Sequence, residues 1–271
     1  MPLQPSGNPI GKPFIELQSV DSTNKYAMQL IQQGQLPGGQ PGDLHGTAVF
    51  GHEQTAGKGQ RSKTWTSEKT ANIILSIIIN PYPVSLADQF NLAVCAGVSM
   101  WEFFSKYAGD ETRIKWPNDL YWRDRKAGGV LIESIVGSSE PGVRKQESET
   151  GNWKWAVAGF GININQTNFP VGIPNPVSLK QITGKNFDPV ELAKELCTVF
   201  EKKFQMLRKG NTDALFEEYL FHLYKKNETV KLKHGNRVFE TTITGVSKTG
   251  QLITRHSIEE RFDFGEVEWV I

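Results

Sequence analysis

The side chains best suited to chemistry in this 271-residue sequence are concentrated between His52 and Trp65, in the run HEQTAGKGQRSKTW. Lys58, Arg61 and Lys63 are cations, and Gly57 and Gly59 leave backbone amides open to approach, a combination that suits a polyphosphate or an acyl-phosphate anion. The spacing departs from GxxxxGK[ST], and the segment lies between strands, without the strand–turn–helix context of a dinucleotide fingerprint. Taken by itself it reads more readily as a basic surface loop. A second group follows as IKWPNDLY from Ile114 and RKAGGVLIE from Arg125. Pro117 would fix a sharp exit from a strand, Gly128 and Gly129 would admit a ligand close to the backbone, and Lys115 and Lys126 would present two charges from either side of a turn. An ordinary solvated pair is the alternative for those lysines. The third group, GFGINI at 159–164, puts the Asn163 amide at a glycine-rich strand end, where turn capping is the competing role.

These groups need a scaffold. The spacing predicts a strand at Phe14–Leu17, then a helix from about Asn24 to Gln33 capped by Asp21, Ser22 and Thr23 and stopped by Gly34. A Gly- and Pro-rich loop spans Gln35–Gly46. Strands are expected at Thr47–His52, Asn72–Ile79, Arg113–Trp116, Gly129–Val136 and Trp153–Ile164, with Pro117–Lys126 as a turn region. Long amphipathic helices are expected at Ser85–Tyr107, Asp188–Leu207 and Asp213–Tyr224. Gln166–Lys185 reads as a loop, and Gly137–Asn152 as a solvent-exposed hairpin loop. From Glu228 the period changes to alternation, with strands at Val230–Lys233, Arg237–Val246, Gln251–Arg255 and Glu260–Val270.

Composition narrows the function. Thirty Lys and Arg against 29 Asp and Glu leave a formal charge of +1, so any basic site must be local. Nucleic-acid binding therefore has weak support: the basic loop and terminal strands are its only motivation, and no base-reading helix is evident. Cys95 and Cys197 lie in apolar helical patterns and read as buried thiols in a reducing compartment. The first residues lack the apolar core of a secretion signal, and no run approaches the roughly 20 apolar residues of a membrane span. A soluble, cytoplasmic protein is expected.

The ordered set Asp21-Ser22-Thr23-Asn24, the Gly57 loop, KWPND at 115–119, RKAGG at 125–129 and GFGIN at 159–163 resembles the catalytic domain of biotin–protein ligases. The stretch around Gly245–Leu252 resembles the small β-domain of the same family, in the form lacking an N-terminal DNA-binding domain. The resemblance implies an α+β fold: a mixed-sheet catalytic domain packed with helices over residues 1–225, and a small SH3-like β-barrel over 226–271. It implies that biotin is activated by ATP to biotinyl-5'-AMP and passed to a lysine of a biotin carboxyl carrier protein, with Mg2+ as the phosphate partner. No metal ligands stand out. A homodimer is compatible with the family, and neither nucleic acid nor membrane is an expected partner.

By motif position, Ser22, Thr23, Asn24 and Gln54 are expected at the ureido head of biotin, with Gly57, Lys58, Gly59, Gly128 and Gly129 completing that site. Lys126 is expected to orient the biotin carboxylate and is the foremost catalytic candidate, with Lys115, Lys58 and Arg61 beside it. Nucleotide contacts are expected from Lys58, Arg61, Lys63, Trp65, Lys115, Asn118 and Asn163; an indole at Trp65 could equally anchor its loop to the core. Gln60 stands where the family commonly has Arg, and Ser62 where it commonly has Gly, which bears on retention of the intermediate. A lipoate or other acyl–protein ligase is the nearest alternative.

Overall fold

The computed structural model describes residues 7–137, 153–173 and 175–270. Seven strands form the main sheet: β1 (Phe14–Leu17), β2 (Ala48–Gly51), β3 (Ile73–Ile79), β4 (Thr112–Lys115), β5 (Asp119–Trp122), β6 (Arg125–Val136) and β7 (Trp153–Ile162). Their order is β1-β2-β3-β7-β6-β5-β4. Only β1 and β2 run parallel; every other pairing is antiparallel. The expected mixed sheet is therefore present.

β3 sits near the middle of the sheet, and all of its residues are buried. Its alternation nevertheless has a purpose. Ile73, Leu75, Ile77 and Ile79 enter the large core beneath the helices α2 (Phe90–Ala108), α4 (Pro189–Arg208) and α5 (Thr212–Phe221). On the opposite face Ile78 packs with Val49, Val157 and Ala27 and Leu30 of α1 (Thr23–Gln33). Successive side chains of a strand point to opposite faces, so Ile74 and Ser76 share the α1 side. Each large apolar side chain fully buried in these layers contributes about 1.5–3 kcal/mol. The thiols of Cys95 and Cys197 are buried and free. Burial pushes Cys197 up to about 12 and Cys95 further in the same direction, so both are inert packing groups.

The elements differ from the sequence reading in four places. The turn region Pro117–Lys126 contains the strand β5, whose register with β4 pairs Lys115 with Asp119. The loop Gln166–Lys185 contains the short helix α3 (Leu179–Thr183), started by a capping box between Ser178 and Gln181. The helix expected from Ser85 begins at Phe90, after a 3-10 turn at Leu86–Asp88. Finally, the strand expected at Glu260–Val270 is two strands parted at Asp263–Glu266. The expected hairpin loop at Gly137–Asn152 falls almost wholly outside the described residues.

The small C-terminal unit contains β8 (Thr229–His234), β9 (Arg237–Val246), β10 (Leu252–Arg255), β11 (Glu259–Phe262) and β12 (Val267–Val270). They form one antiparallel sheet in the order β11-β10-β9-β8-β12. Among the described residues no ladder joins β11 to β12, so the expected barrel is not closed. Several contacts seat this sheet on the larger one. The Trp116 indole N–H donates to the carbonyl of Gly250 at 2.8 Å, and Phe264 lies edge-on to Trp116 with 6.2 Å between ring centroids.

Candidate active site

The α1 face of the main sheet is stripped of side chains at two places, and register shows where. Across the sheet Ser76 pairs with Gly159, which pairs with Leu131; one step along, Ile74 pairs with Gly161, which pairs with Gly129, which pairs with Asp119. These are two adjacent rows on one face, separated by two residues of strand, about 7 Å. A Cβ on Gly159 would stand 2.2 Å from Asn24 Oδ1, and one on Gly161 would stand 2.6 Å from the Trp65 indole. The alternation of glycine with buried Phe160 in GFGIN thus opens the site face while filling the core face.

The inner row carries a neutral hydrogen-bond network. Ser22 caps α1, its Oγ accepting from the amide of Lys25, and this fixes the first helical turn over the sheet. Thr23 donates to Gln54 Oε1 from its amide at 2.9 Å and its hydroxyl at 3.3 Å. Ser76 Oγ lies 2.7 Å from Thr23 Oγ1 and 2.6 Å from Asn24 Oδ1, and the Asn24 amide donates to Glu133 at 2.7 Å. Ser76 and Glu133 were not anticipated. For Ser76 the signal was a lone polar residue in an otherwise apolar strand.

The outer row is charged. Lys126 Nζ pairs with Asp119 at 2.6 Å in the cleft wall. Lys115, the other member of the supposed solvated pair, is only 7% exposed. Burial, reinforced by Lys126 and Lys63 and opposed by Asp119 and Asp124, pushes its ammonium down to about 8. It donates to the Tyr121 hydroxyl at 3.0 Å. The 57–65 loop closes on itself through Trp65 N to Gly57 O at 3.0 Å, and a bridge joins Lys58 to Thr64. Trp65 lies against Gly161 and lines the cleft. Arg61 has a left-handed backbone (φ 53) and lays its guanidinium over the Phe264 ring at 5.4 Å.

These rows form the floor of a cleft of about 1110 Å3. Ser22, Thr23, Asn24, Gln54, Lys58, Gly59, Arg61, Lys63, Trp65, Lys115, Asn118, Lys126, Gly129 and Asn163 all line it. Gly57 and Gly128 do not: a Cβ on Gly57 would collide with Trp65 O, and one on Gly128 with Gly161 O, so both permit close backbone packing behind the cleft. Asn118 donates to the carbonyl of Val130, and Asn163 to those of Lys126 and Val177. Both amides therefore brace the wall around Lys126, in keeping with the capping role left open for Asn163. Sequence reasoning missed the opposite wall, where Phe264, Gly265, Val267, Glu268 and Trp269 of the small sheet line the cleft, as do Phe169, Ile173 and Pro176. Among the described residues no group of three or more His, Cys, Asp or Glu gathers as a metal cluster, and no helix is long and apolar enough to cross a membrane.

Residues 17–142 match the sequence profile of the biotin/lipoate A/B protein ligase family. The chain is 29% identical over 238 residues to the bifunctional ligase/repressor BirA of Escherichia coli, covering 86% of this chain and 66% of that protein. It is 28% identical to the biotin–[acetyl-CoA-carboxylase] ligase of Paracoccus denitrificans, covering 88% of this chain and 92% of that one. Against the BirA of Bacillus subtilis it spans 55% of the relative's length. The biotin protein ligase of Aquifex aeolicus, in complex with biotin and ATP, shares the fold with a TM-score of 0.73 at 24% identity, over 95% of this chain and 98% of that one. In its motifs, its fold and these relatives alike, the chain is similar to the biotin–protein ligases.

Proposed function

We propose that this protein activates biotin with ATP and transfers it to a lysine of a biotin carboxyl carrier protein. The observation that supports this best is the division of one cleft into a buried neutral network and a cationic outer row. A ureido group offers two N–H donors and a carbonyl acceptor, which the Ser22–Asn24 and Gln54 polar atoms complement, with Ser76 holding Thr23 and Asn24 from behind. In the first step a biotin carboxylate oxygen attacks the α-phosphorus of ATP, and pyrophosphate leaves. In the second, the carrier amine attacks the acyl carbon, loses a proton, and AMP leaves.

Both steps move negative charge without a protein nucleophile, so fixed cations do the work. Lys126 orients the carboxylate; Lys115, Lys58, Lys63 and Arg61 face the phosphates, and Trp65 borders the adenylate. Asn118 and Asn163 act through the backbone around Lys126. Asp119 and Asp124 line the cleft as hard oxygen donors. Mg2+ often takes only one or two carboxylates together with substrate phosphates, so these residues fit it, and when bound it would neutralise phosphate charge. We place the catalytic unit at residues 1–225 and the small unit, a reduced SH3-like sheet, at 226–271. A cytoplasmic setting suits both the free thiols and the carrier.

Incubating the protein with ATP and Mg2+, and separately with biotin or lipoate, then weighing the adenylate, tests the assignment. Biotinyl-AMP is expected. Preferential lipoyl-AMP would overturn it, and tight salt-sensitive nucleic-acid binding without biotin-dependent pyrophosphate release would replace it.

A further inference from the structure

Among the cations lining the cleft, Lys115 is held in an unusual way. Its ammonium lies 4.4 Å from the Tyr121 ring centroid, 4.9 Å from that of Trp269 and 5.8 Å from that of Tyr224. The three rings touch in series, Tyr121 to Tyr224 at 5.1 Å and Tyr224 to Trp269 at 5.7 Å between centroids. Among the described residues no carboxylate oxygen comes within 4.0 Å of Lys115 Nζ, whereas Lys126 has Asp119. Two of the rings come from the large unit. Trp269, on β12, comes from the small one.

We propose that Trp269 is a positioning residue for Lys115: its indole face completes an aromatic cage that holds the ammonium in place at the phosphate side of the cleft. This rests on the ligase reading above. A buried ammonium needs compensation, and a carboxylate would supply it while repelling the anionic substrate; π faces compensate the charge without adding a negative one. Trp has the strongest face for this purpose. The arrangement also gives the small sheet a definite contribution to the reaction. It supplies a face to the reactive charge, and docking of β12 sets whether Lys115 is caged.

The groups that face Lys115 are known from every side. Asp119 and Tyr121 come from β5, Asp124 from the following turn, Lys126 from β6, Lys63 from the basic loop and Tyr224 from beyond α5; Asp119 and Asp124 favour the charged form and Lys126 and Lys63 oppose it. Tyr224 is tied to Asp124 by a 2.6 Å hydrogen bond, which holds that ring in place.

The test compares Trp269→Leu and Trp269→Phe with the unmodified full-length protein. Leucine keeps the wall apolar but removes the π face, so Lys115 should lose its fixed place, and KM for ATP in biotin-dependent pyrophosphate release should rise about fivefold with biotin affinity unchanged. Phenylalanine restores a π face and should recover most of that loss. A purely structural role for Trp269 would weaken both ligands together. In parallel, ATP affinity measured by isothermal titration follows the same contact without any turnover. A matching loss in Trp269→Leu is expected. Unchanged KM and unchanged ATP affinity in a folded Trp269→Leu protein would overturn the cage, and if that variant does not fold, the Trp269→Phe protein decides in the same terms. Absence of pyrophosphate release from the unmodified protein would sink the ligase reading alone, leaving the nucleotide titration to judge the cage.

Discussion

The two rows of the cleft solve opposite problems. In the inner row every named side chain is neutral except Glu133, and the polar atoms are already paired with one another: Thr23 to Gln54, Ser76 to Thr23 and Asn24, Asn24 to Glu133. Such a network is preorganised and discriminates by leaving groups unpaired when the wrong ligand enters. In the outer row, Lys58, Arg61, Lys63, Lys115 and Lys126 bring positive charge from three different segments, the basic loop, β4 and β6. Precision matters less there than field strength, and the chain uses one loop and two strands to assemble it. Shape is therefore encoded where α1 meets the sheet, and charge where the basic loop meets β4 and β6.

The contrast should break most sharply at Lys126. Lys126→Ala should lower biotinyl-AMP formation by about 100- to 1000-fold, the range seen when a single donor to a developing anion is removed. It should leave thermal stability nearly unchanged, because the lost partner, Asp119, can rehydrate at the cleft wall. Single-turnover pyrophosphate release measured beside thermal unfolding checks this. A near-normal rate would reject the catalytic assignment.

Gly159→Ala tests the inner row by itself. The new Cβ would press on Asn24 Oδ1, which accepts from Ser76 while the Asn24 Nδ2 donates to Glu133, so the network must shift. Overpacking of this kind costs about 1–3 kcal/mol, which predicts biotin binding weakened about tenfold or more while ATP binding is spared. Isothermal titration with each ligand separates the two. Gly265→Ala is the outer-row counterpart. Gly265 has φ +90, and a Cβ there would meet the Arg61 guanidinium carbon at 1.8 Å. Because that end of Arg61 is flexible it should swing off Phe264, loosening the basic loop from the small sheet. KM for ATP should rise by about two- to fivefold, the value of a modest cation–π contact, with biotin affinity unchanged. Equal losses for both ligands would erase the distinction between the rows.

Much of this was legible in the residues. The helix cap at Ser22 and stop at Gly34, the mixed sheet and the long helices follow from local chemistry and periodicity, and the resemblance gathered Thr23, Gln54, Lys115 and Lys126 into one cleft. What was not legible depends on contacts remote in sequence. β5 hides in a segment with Pro117 and Asn118 at its start, because a four-residue strand between two turns has too few positions to show alternation. Trp269 looked like any apolar residue of a terminal strand; only the docking of β12 beside Tyr121 and Tyr224 gives it a partner. The burial of Lys115 was hidden for the same reason, since no local pattern tells a lysine that its neighbours will be aromatic.

The smallest expected effect concerns Gln60. It lines the cleft, in the 3-10 turn Gln60–Ser62 that precedes the hairpin closure of the basic loop, so an arginine there would enter the outer row. The family pattern implies that this is the position at which a guanidinium clamps the adenylate. A charge-assisted bond is worth about 1.5–3 kcal/mol, but ordering an arginine side chain costs up to about 2 kcal/mol, so the net gain should be about 1 kcal/mol or less. Gln60→Arg is therefore expected to slow escape of biotinyl-AMP by a few-fold, with biotin affinity unchanged because the inner row is untouched. Preformed radiolabelled intermediate, chased with excess unlabelled biotin and ATP in the absence of carrier, measures that escape directly. Unchanged or faster release from a folded Gln60→Arg protein would mean that the outer row is already saturated with charge by Lys58, Lys63 and Lys115. Retention would then be limited by closure of the loop against Phe264, and the Gly265→Ala protein should be the one that leaks.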